Sequence, residues 1–141
     1  MKINFKQWFN ENFNASAVYV NTPRGKEEYS VPKLAQWAAK NTRPTPVSID
    51  WLKKNIANSS GSGYQSLLSL PEQGSEEYLR AMKSDTNFPI IIIKEQGETW
   101  IADGNHRVMK VRLSNPDKND SIIMLPAYII DAAALPEPQQ I

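Results

Sequence analysis

Hydrophobic residues in the first third of this chain recur at helical spacing, whereas those in the rest cluster in strand-like runs. Aromatic residues lie on one predicted helical face near the start, at Phe5, Trp8, Phe9 and Phe13. A brief strand is possible at 18–20, and a second helix is predicted from Pro32, with an apolar face of Leu34, Trp37 and Ala38. Pro44 and Pro46 then break the pattern. Residues 1–45 are therefore predicted to form a helical extension, whose aromatic helix packs on the core or meets a protein partner.

The middle and end of the chain favour strands. The consecutive isoleucines Ile90–Ile93 are typical of a strand buried on both faces. Gln96-Gly97 predicts a tight turn into a returning strand at 98–102. A final apolar strand is predicted at 122–130, where Pro126 indicates an edge or a bulge. Residues 135–141 are rich in proline and glutamine and are expected to fray.

Helices are predicted between these strands. Ser75 is expected to start one, with Glu76 and Glu77 in its first turn and an apolar side of Tyr78, Leu79 and Met82. Residues 108–113 predict another, and 47–52 predict a short strand that runs into a helical turn. The fold class is therefore α+β, a small mixed sheet flanked by helices. The compact domain is placed at 46–131, after the N-terminal helical extension at 1–45 and before a tail at 132–141.

Composition and charge limit the kinds of functional site that the chain can contain. The chain has 141 residues, 40% hydrophobic and 22% charged, with a net charge of +1, so charge alone predicts no large nucleic-acid surface. It has no cysteine, which excludes disulfides, thiolate metal sites and a cysteine nucleophile. The N-terminus is too polar for a signal peptide, and no apolar run is long enough to span a membrane. These features predict a cytoplasmic protein without a membrane partner.

The most informative motif is Asp103-Gly104-Asn105-His106-Arg107, between a predicted strand and a basic helix. A glycine turn that opens into a helix presents backbone N–H groups and the positive end of the helix dipole. Arginine adds a planar charged fork that fits phosphate oxygens. The motif therefore predicts a cradle for a phosphate or another anion.

Each motif residue has a predicted role and a plainer alternative. Arg107 is the first candidate for a phosphate ligand, although it could instead be a surface arginine that pairs with a neighbouring carboxylate. His106, the only histidine, could bind phosphate or act as a general acid or base. Asp103 could hold Mg²⁺ or orient His106, or it could be an ordinary turn residue. Gly104 is expected to supply a positive φ or a close approach of the backbone to a ligand, and Asn105 to cap the helix.

Residues 89–112, PIIIIKEQGETWIADGNHRVMKVR, resemble the ParB/sulfiredoxin superfamily, which includes ParB-like nuclease domains. The shared features are an aliphatic strand, a hairpin and a G-x-x-R motif, here Gly104–Arg107, and the resemblance extends more weakly over residues 47–131. It implies a fold that binds a nucleoside triphosphate such as CTP or ATP, often with Mg²⁺, through Gly104, Asn105, His106 and Arg107. It also places the helix at 75–83 beside the nucleotide, which makes Glu76 a candidate catalytic carboxylate with His106 and Asp103.

The chain departs from parts of that family. Sulfiredoxin chemistry needs a cysteine at the motif, and ParB proteins typically have a second arginine where His106 stands here. The DGNHR form is similar to motifs of kinase-like and of phage- or plasmid-encoded relatives. Three hypotheses follow: a nucleotide-binding domain with hydrolysis or phosphoryl transfer, a DNA-binding or nuclease protein, and a non-catalytic phage or plasmid interaction module.

Overall fold

The computed structural model describes residues 17–58 and 62–141. In chain order the elements are β1 (Ala17–Thr22), β2 (Gly25–Ser30), α1 (Val31–Asn41), β3 (Thr45–Ser48), α2 (Ile49–Asn55), α3 (Ser62–Leu68), α4 (Glu76–Lys83), β4 (Ile90–Glu95), β5 (Glu98–Asp103), α5 (Asn105–Leu113) and β6 (Met124–Asp131), followed by two 3-10 turns. The prediction of an α+β fold with a small mixed sheet is confirmed. No helix in the described part of the chain is both long and apolar enough to cross a membrane.

The main sheet has four strands in the order β3-β6-β4-β5. β4 runs parallel to β6 and antiparallel to β5, whereas β3 pairs antiparallel with β6. The four isoleucines of β4 are all fully buried, because this strand is central and both of its faces are covered. The turn at Gln96 and Gly97 has positive φ at both residues, as tight hairpins require.

Two hydrophobic clusters cover opposite faces of the sheet. Ile91 and Ile93 point into one cluster, which α1, the β1–β2 hairpin and the C-terminal segment complete. Ile90 and Ile92 point into the other, with side chains from α2, α3 and α5. This division follows from the alternation of side chains along a strand. The helix that carries His106 and Arg107 therefore lies on the second face.

Serines start three of the helices as N-caps. The Ser48 hydroxyl accepts from the backbone N–H of Trp51 at 2.9 Å, and Ser75 accepts from Tyr78 at 3.1 Å. Ser30 caps α1 in the same way. The predicted strand that runs into a helical turn is thus confirmed as β3 followed by α2, and the predicted start of α4 at Ser75 is confirmed too.

The N-terminal extension is only partly helical. The aromatic helix predicted at 5–13 lies outside the described residues. Residues 17–30 form the β1–β2 hairpin, an extension of the brief strand predicted there, and α1 confirms the predicted second helix. Along β1, buried Val20 and Thr22 alternate with exposed Tyr19 and Asn21, which is the strand period rather than the helical one. An all-helical extension is therefore wrong for 17–30.

The C-terminal residues do not fray. Leu135 is 2% exposed and belongs to the first hydrophobic cluster. Its carbonyl accepts from Arg24 Nη2 at 2.9 Å, and the Pro136 carbonyl accepts from the Tyr29 hydroxyl at 2.7 Å. One buried leucine and two hydrogen bonds fasten the segment to the hairpin, so composition was a poor guide here.

Two further expectations need correction. β6 is an interior strand, but its pairing with β4 starts at Ala127, so Pro126 lies where only β3 is beside it, opposite Pro46. On α4, Leu79 is 51% exposed and Ala81 is the buried residue, because a small side chain lets this helix approach α5 closely. The helix α3 was not predicted, since it follows a stretch rich in serine and glycine.

Candidate anion site at the start of helix α5

The motif 103–107 occupies the junction between β5 and α5. Asp103 is the last residue of β5, Gly104 is the N-cap, and Asn105 is the first helical residue. The pairing of β4 with β5 shifts register so that Asp103 faces Ile91 while Ile101 faces Ile92, which leaves Ala102 as the extra residue of a bulge. Bulges bend a strand and re-aim its side chains, and this one immediately precedes the motif.

Gly104 is required by geometry. Its φ is +126°, a value that other residues rarely adopt. A Cβ at this position would lie 2.6 Å from the Ile90 Cβ and 3.2 Å from Arg107 Nη2. The expectation of a positive φ is confirmed. The Cβ of another residue here would push the first turn of α5 away from β4.

Asp103 and Arg107 form a buried ion pair across this turn. Arg107 Nη2 donates to Asp103 Oδ2 at 2.8 Å, and the side chains are 1% and 0% exposed, respectively. The guanidinium also lies over the Phe88 ring, 5.0 Å from its centroid. Burial lowers the pKa of Arg107, although Asp103 opposes this shift and arginine keeps its charge in proteins. The structure thus places the arginine of the motif inward, beneath the turn.

His106 is the most accessible side chain of the motif and is half-buried. Its pKa is lowered, first by burial and then by the positive charge of Arg80, while Glu77 opposes the shift. Both of these charged residues are exposed on α4. The histidine is therefore neutral near pH 7 and faces a helix that carries both signs of charge.

Helices α3 and α4 are tied to α5 by hydrogen bonds from its basic side chains. Lys110 Nζ donates to the Ser84 carbonyl at 2.6 Å, and Arg112 Nη1 donates to the Ser66 carbonyl at 2.7 Å. The Ser84 hydroxyl also donates to the carbonyl of His106 at 3.3 Å. Arg107, Lys110 and Arg112 therefore each make a contact inside the domain.

The start of α3 packs against the start of α5. A Cβ built on Gly63 would lie 3.2 Å from the Ile101 Cβ and 3.4 Å from Asn105 Oδ1. Asn105 is 8% exposed, and it was expected to cap the helix, but Gly104 holds the N-cap position. Glu76 is exposed in the first turn of α4.

Asp103 does not fit the role of a metal ligand. Its carboxylate is enclosed and bonded to Arg107, whereas Mg²⁺ takes carboxylates that can turn towards a hydrated ion. Over residues 17–58 and 62–141, no three His, Asp or Glu side chains are grouped so as to hold a metal.

A cleft of about 160 Å³ lies at the other end of the sheet. Its lining includes Thr22, Glu95, Gln96 and Asp131, where β1, β4 and β6 end. The motif and this cleft share no residue. Glu95 Oε2 accepts from the Asn21 backbone N–H, so this carboxylate already holds the hairpin against β4.

Sequence reasoning missed the residues that surround the motif. Phe88 and Ile90 enclose Arg107 and Gly104, and Arg80 lies near His106. Phe88 lies just before β4 and Ile90 begins it, and only the pairing of β4 with β5 brings them to the turn.

Comparisons of the chain with protein-family models, with curated proteins and with solved structures found no match.

Proposed function

We propose that the first turn of α5 binds a phosphate group of a nucleoside triphosphate, in a domain of ParB/sulfiredoxin-like type. The observation that carries this proposal is the junction of β5, Gly104 and α5, in which a buried strand delivers a glycine at φ +126° to the start of a helix. Such a junction directs backbone N–H groups and the positive end of the helix dipole at one point.

Side chains at the edge of this turn suit an anion. Half-buried His106 donates one ring N–H, and exposed Arg80 on α4 supplies positive charge from the neighbouring helix. Gly104 and Asn105 contribute backbone N–H groups. Arg107 acts from beneath the turn, since its guanidinium is 1% exposed and bonded to Asp103.

Two reactions are open to such a site, hydrolysis and phosphoryl transfer. Neutral His106 accepts the proton of an attacking water or hydroxyl, a bond forms from that oxygen to the terminal phosphorus, and the bridging P–O bond breaks. The diphosphate leaves with the electron pair of that bond. Glu76 and Glu77 are the exposed carboxylates nearest in sequence to Arg80, and either can orient the nucleophile. No step is assigned to Mg²⁺, because Asp103 does not fit as its ligand.

Calorimetric titration tests the proposal. Wild type is titrated with ATP, CTP, GTP, UTP and inorganic tripolyphosphate, and the same series is run on His106→Ala and Arg80→Ala. We expect saturable binding by wild type and an affinity about 10-fold lower in each variant, as for loss of one charged or polar contact.

Lys40→Ala is the matched control. Lys40 is an exposed basic residue in the last turn of α1, on the opposite face of the sheet, so its loss changes net charge as Arg80→Ala does. Binding by this control should equal that of wild type. Absence of binding to every triphosphate by folded wild type contradicts the proposal, and steeply salt-dependent binding to DNA instead would favour the nucleic-acid hypothesis.

A further inference from the structure

We propose that Asp103 is a positioning residue for the first turn of α5, acting through Arg107. This inference rests on the proposed function, because it concerns how that turn is held ready for an anion. It assigns a task to a carboxylate that the sequence suggested as a metal ligand or as a partner of His106.

The ion pair spans the turn from end to end. Asp103 ends β5, Arg107 lies one helical turn later, and the 2.8 Å contact between them closes over the three intervening residues. The same Nη2 atom that bonds Asp103 lies against the backbone of Gly104, close enough that a Cβ there would come within 3.2 Å. The Phe88 ring packs on the guanidinium as well. The guanidinium therefore fills the space beneath the turn and fixes the position at which the turn begins.

A contribution to the free energy of unfolding does not by itself explain why the Asp103–Arg107 pair is buried. Two charges withdrawn from water lose hydration, and replacing a buried pair with apolar side chains of similar volume is often neutral or stabilising. A carboxylate and a guanidinium bonded at a defined angle do impose an orientation that apolar side chains lack. The pair is thus suited to positioning more than to raising the free energy of unfolding.

The test separates position from stability. The double variant Asp103→Leu with Arg107→Met removes both charges while keeping the site filled, so a free energy of unfolding close to that of wild type is expected. Hydrogen exchange of the amides in the first turn of α5 should nevertheless become about 10-fold faster, with β4 unchanged. Tripolyphosphate affinity should fall about 10-fold to 100-fold, the usual cost of losing a group that orients ligands.

The control double variant is Asp50→Ala with Lys54→Ala, an exposed ion pair at the same i, i+4 spacing. Neither exchange at α5 nor tripolyphosphate affinity should change in it. Unchanged exchange in the first turn of α5 in the Asp103→Leu, Arg107→Met variant overturns the positioning role, whether or not wild type binds nucleotide. Faster exchange there, with no nucleotide bound by wild type, supports positioning and overturns the proposed function. Wild-type affinity in that variant overturns the inference while leaving the phosphate site standing.

Discussion

Two ion pairs in this protein have the same spacing and opposite surroundings. Asp50 and Lys54 on α2 are separated by 3.0 Å, with side chains 42% and 72% exposed, respectively. Asp103 and Arg107 are separated by 2.8 Å with almost no exposure. Both begin near the start of a helix, where a carboxylate is favoured by the dipole. The difference shows that sequence spacing specifies the contact, whereas the covering side chains decide its consequences.

The side chains that cover the Asp103–Arg107 pair come from β4 and from the loop before it. Ile90 meets the backbone of Gly104 and Phe88 meets the guanidinium, so water reaches neither charge. Asp50 and Lys54 of α2, by contrast, are 42% and 72% exposed among the residues that the structure describes. Water weakens the attraction between exposed charges and also makes their loss inexpensive.

The largest expected effect comes from breaking the buried pair on one side. Asp103→Ala removes the bonded carboxylate from the buried cation of Arg107, although the charge of Asp85 still acts on it, and should lower the free energy of unfolding by about 3–5 kcal/mol. Urea denaturation followed by circular dichroism measures this loss. A loss below about 1 kcal/mol would mean that water enters the turn and solvates Arg107.

A smaller effect on the free energy of unfolding is expected from pH, because pH changes the charge of His106 in the first turn of α5. The pKa of His106 is lowered in the folded protein, so below its ordinary value of about 6.5 the unfolded chain takes up the proton more readily. Stability is therefore fully present above that pH and declines as pH falls through it. Unfolding measured at several pH values between 7.5 and 5 should show a shallower decline in His106→Gln than in wild type. Parallel curves for the two proteins would remove this histidine from the pH response.

The smallest effect is expected at the exposed pair. Asp50→Ala removes a contact in water and one favourable charge from the first turn of α2, together worth less than about 1 kcal/mol. The same urea titration serves, and high salt should reduce the difference further because it screens exposed charges. A loss as large as that of Asp103→Ala would show that exposure does not separate the two pairs.

Local patterns predicted much of the fold. The isoleucine run indicated a central strand, Gln96-Gly97 indicated a hairpin, and Ser75 marked the start of α4. Each depends on neighbours in sequence, through side-chain alternation or a cap. Residues 17–30 and 132–141 were predicted poorly, because the contacts that join them are between residues 111 and 107 positions apart in sequence.

The candidate site was predicted in position but not in orientation. The sequence placed Gly104 at a strand-to-helix junction, and a glycine-specific backbone was found there. It also suggested that Arg107 faces a ligand, whereas the structure turns this side chain inward to Asp103. The i, i+4 spacing of the two was visible, but their burial depends on Phe88 and Ile90, which reach the turn only through strand pairing.

The contacts between the hairpin and the C-terminal segment have a consequence for folding kinetics. Arg24 and the Leu135 carbonyl are 111 residues apart in sequence, and Tyr29 and the Pro136 carbonyl are 107 apart. Contacts of such separation close a very long loop, so they form late compared with the β4–β5 hairpin. The hairpin and the segment that fastens it should then open and close together, as one cooperative unit that leaves the four-stranded sheet intact.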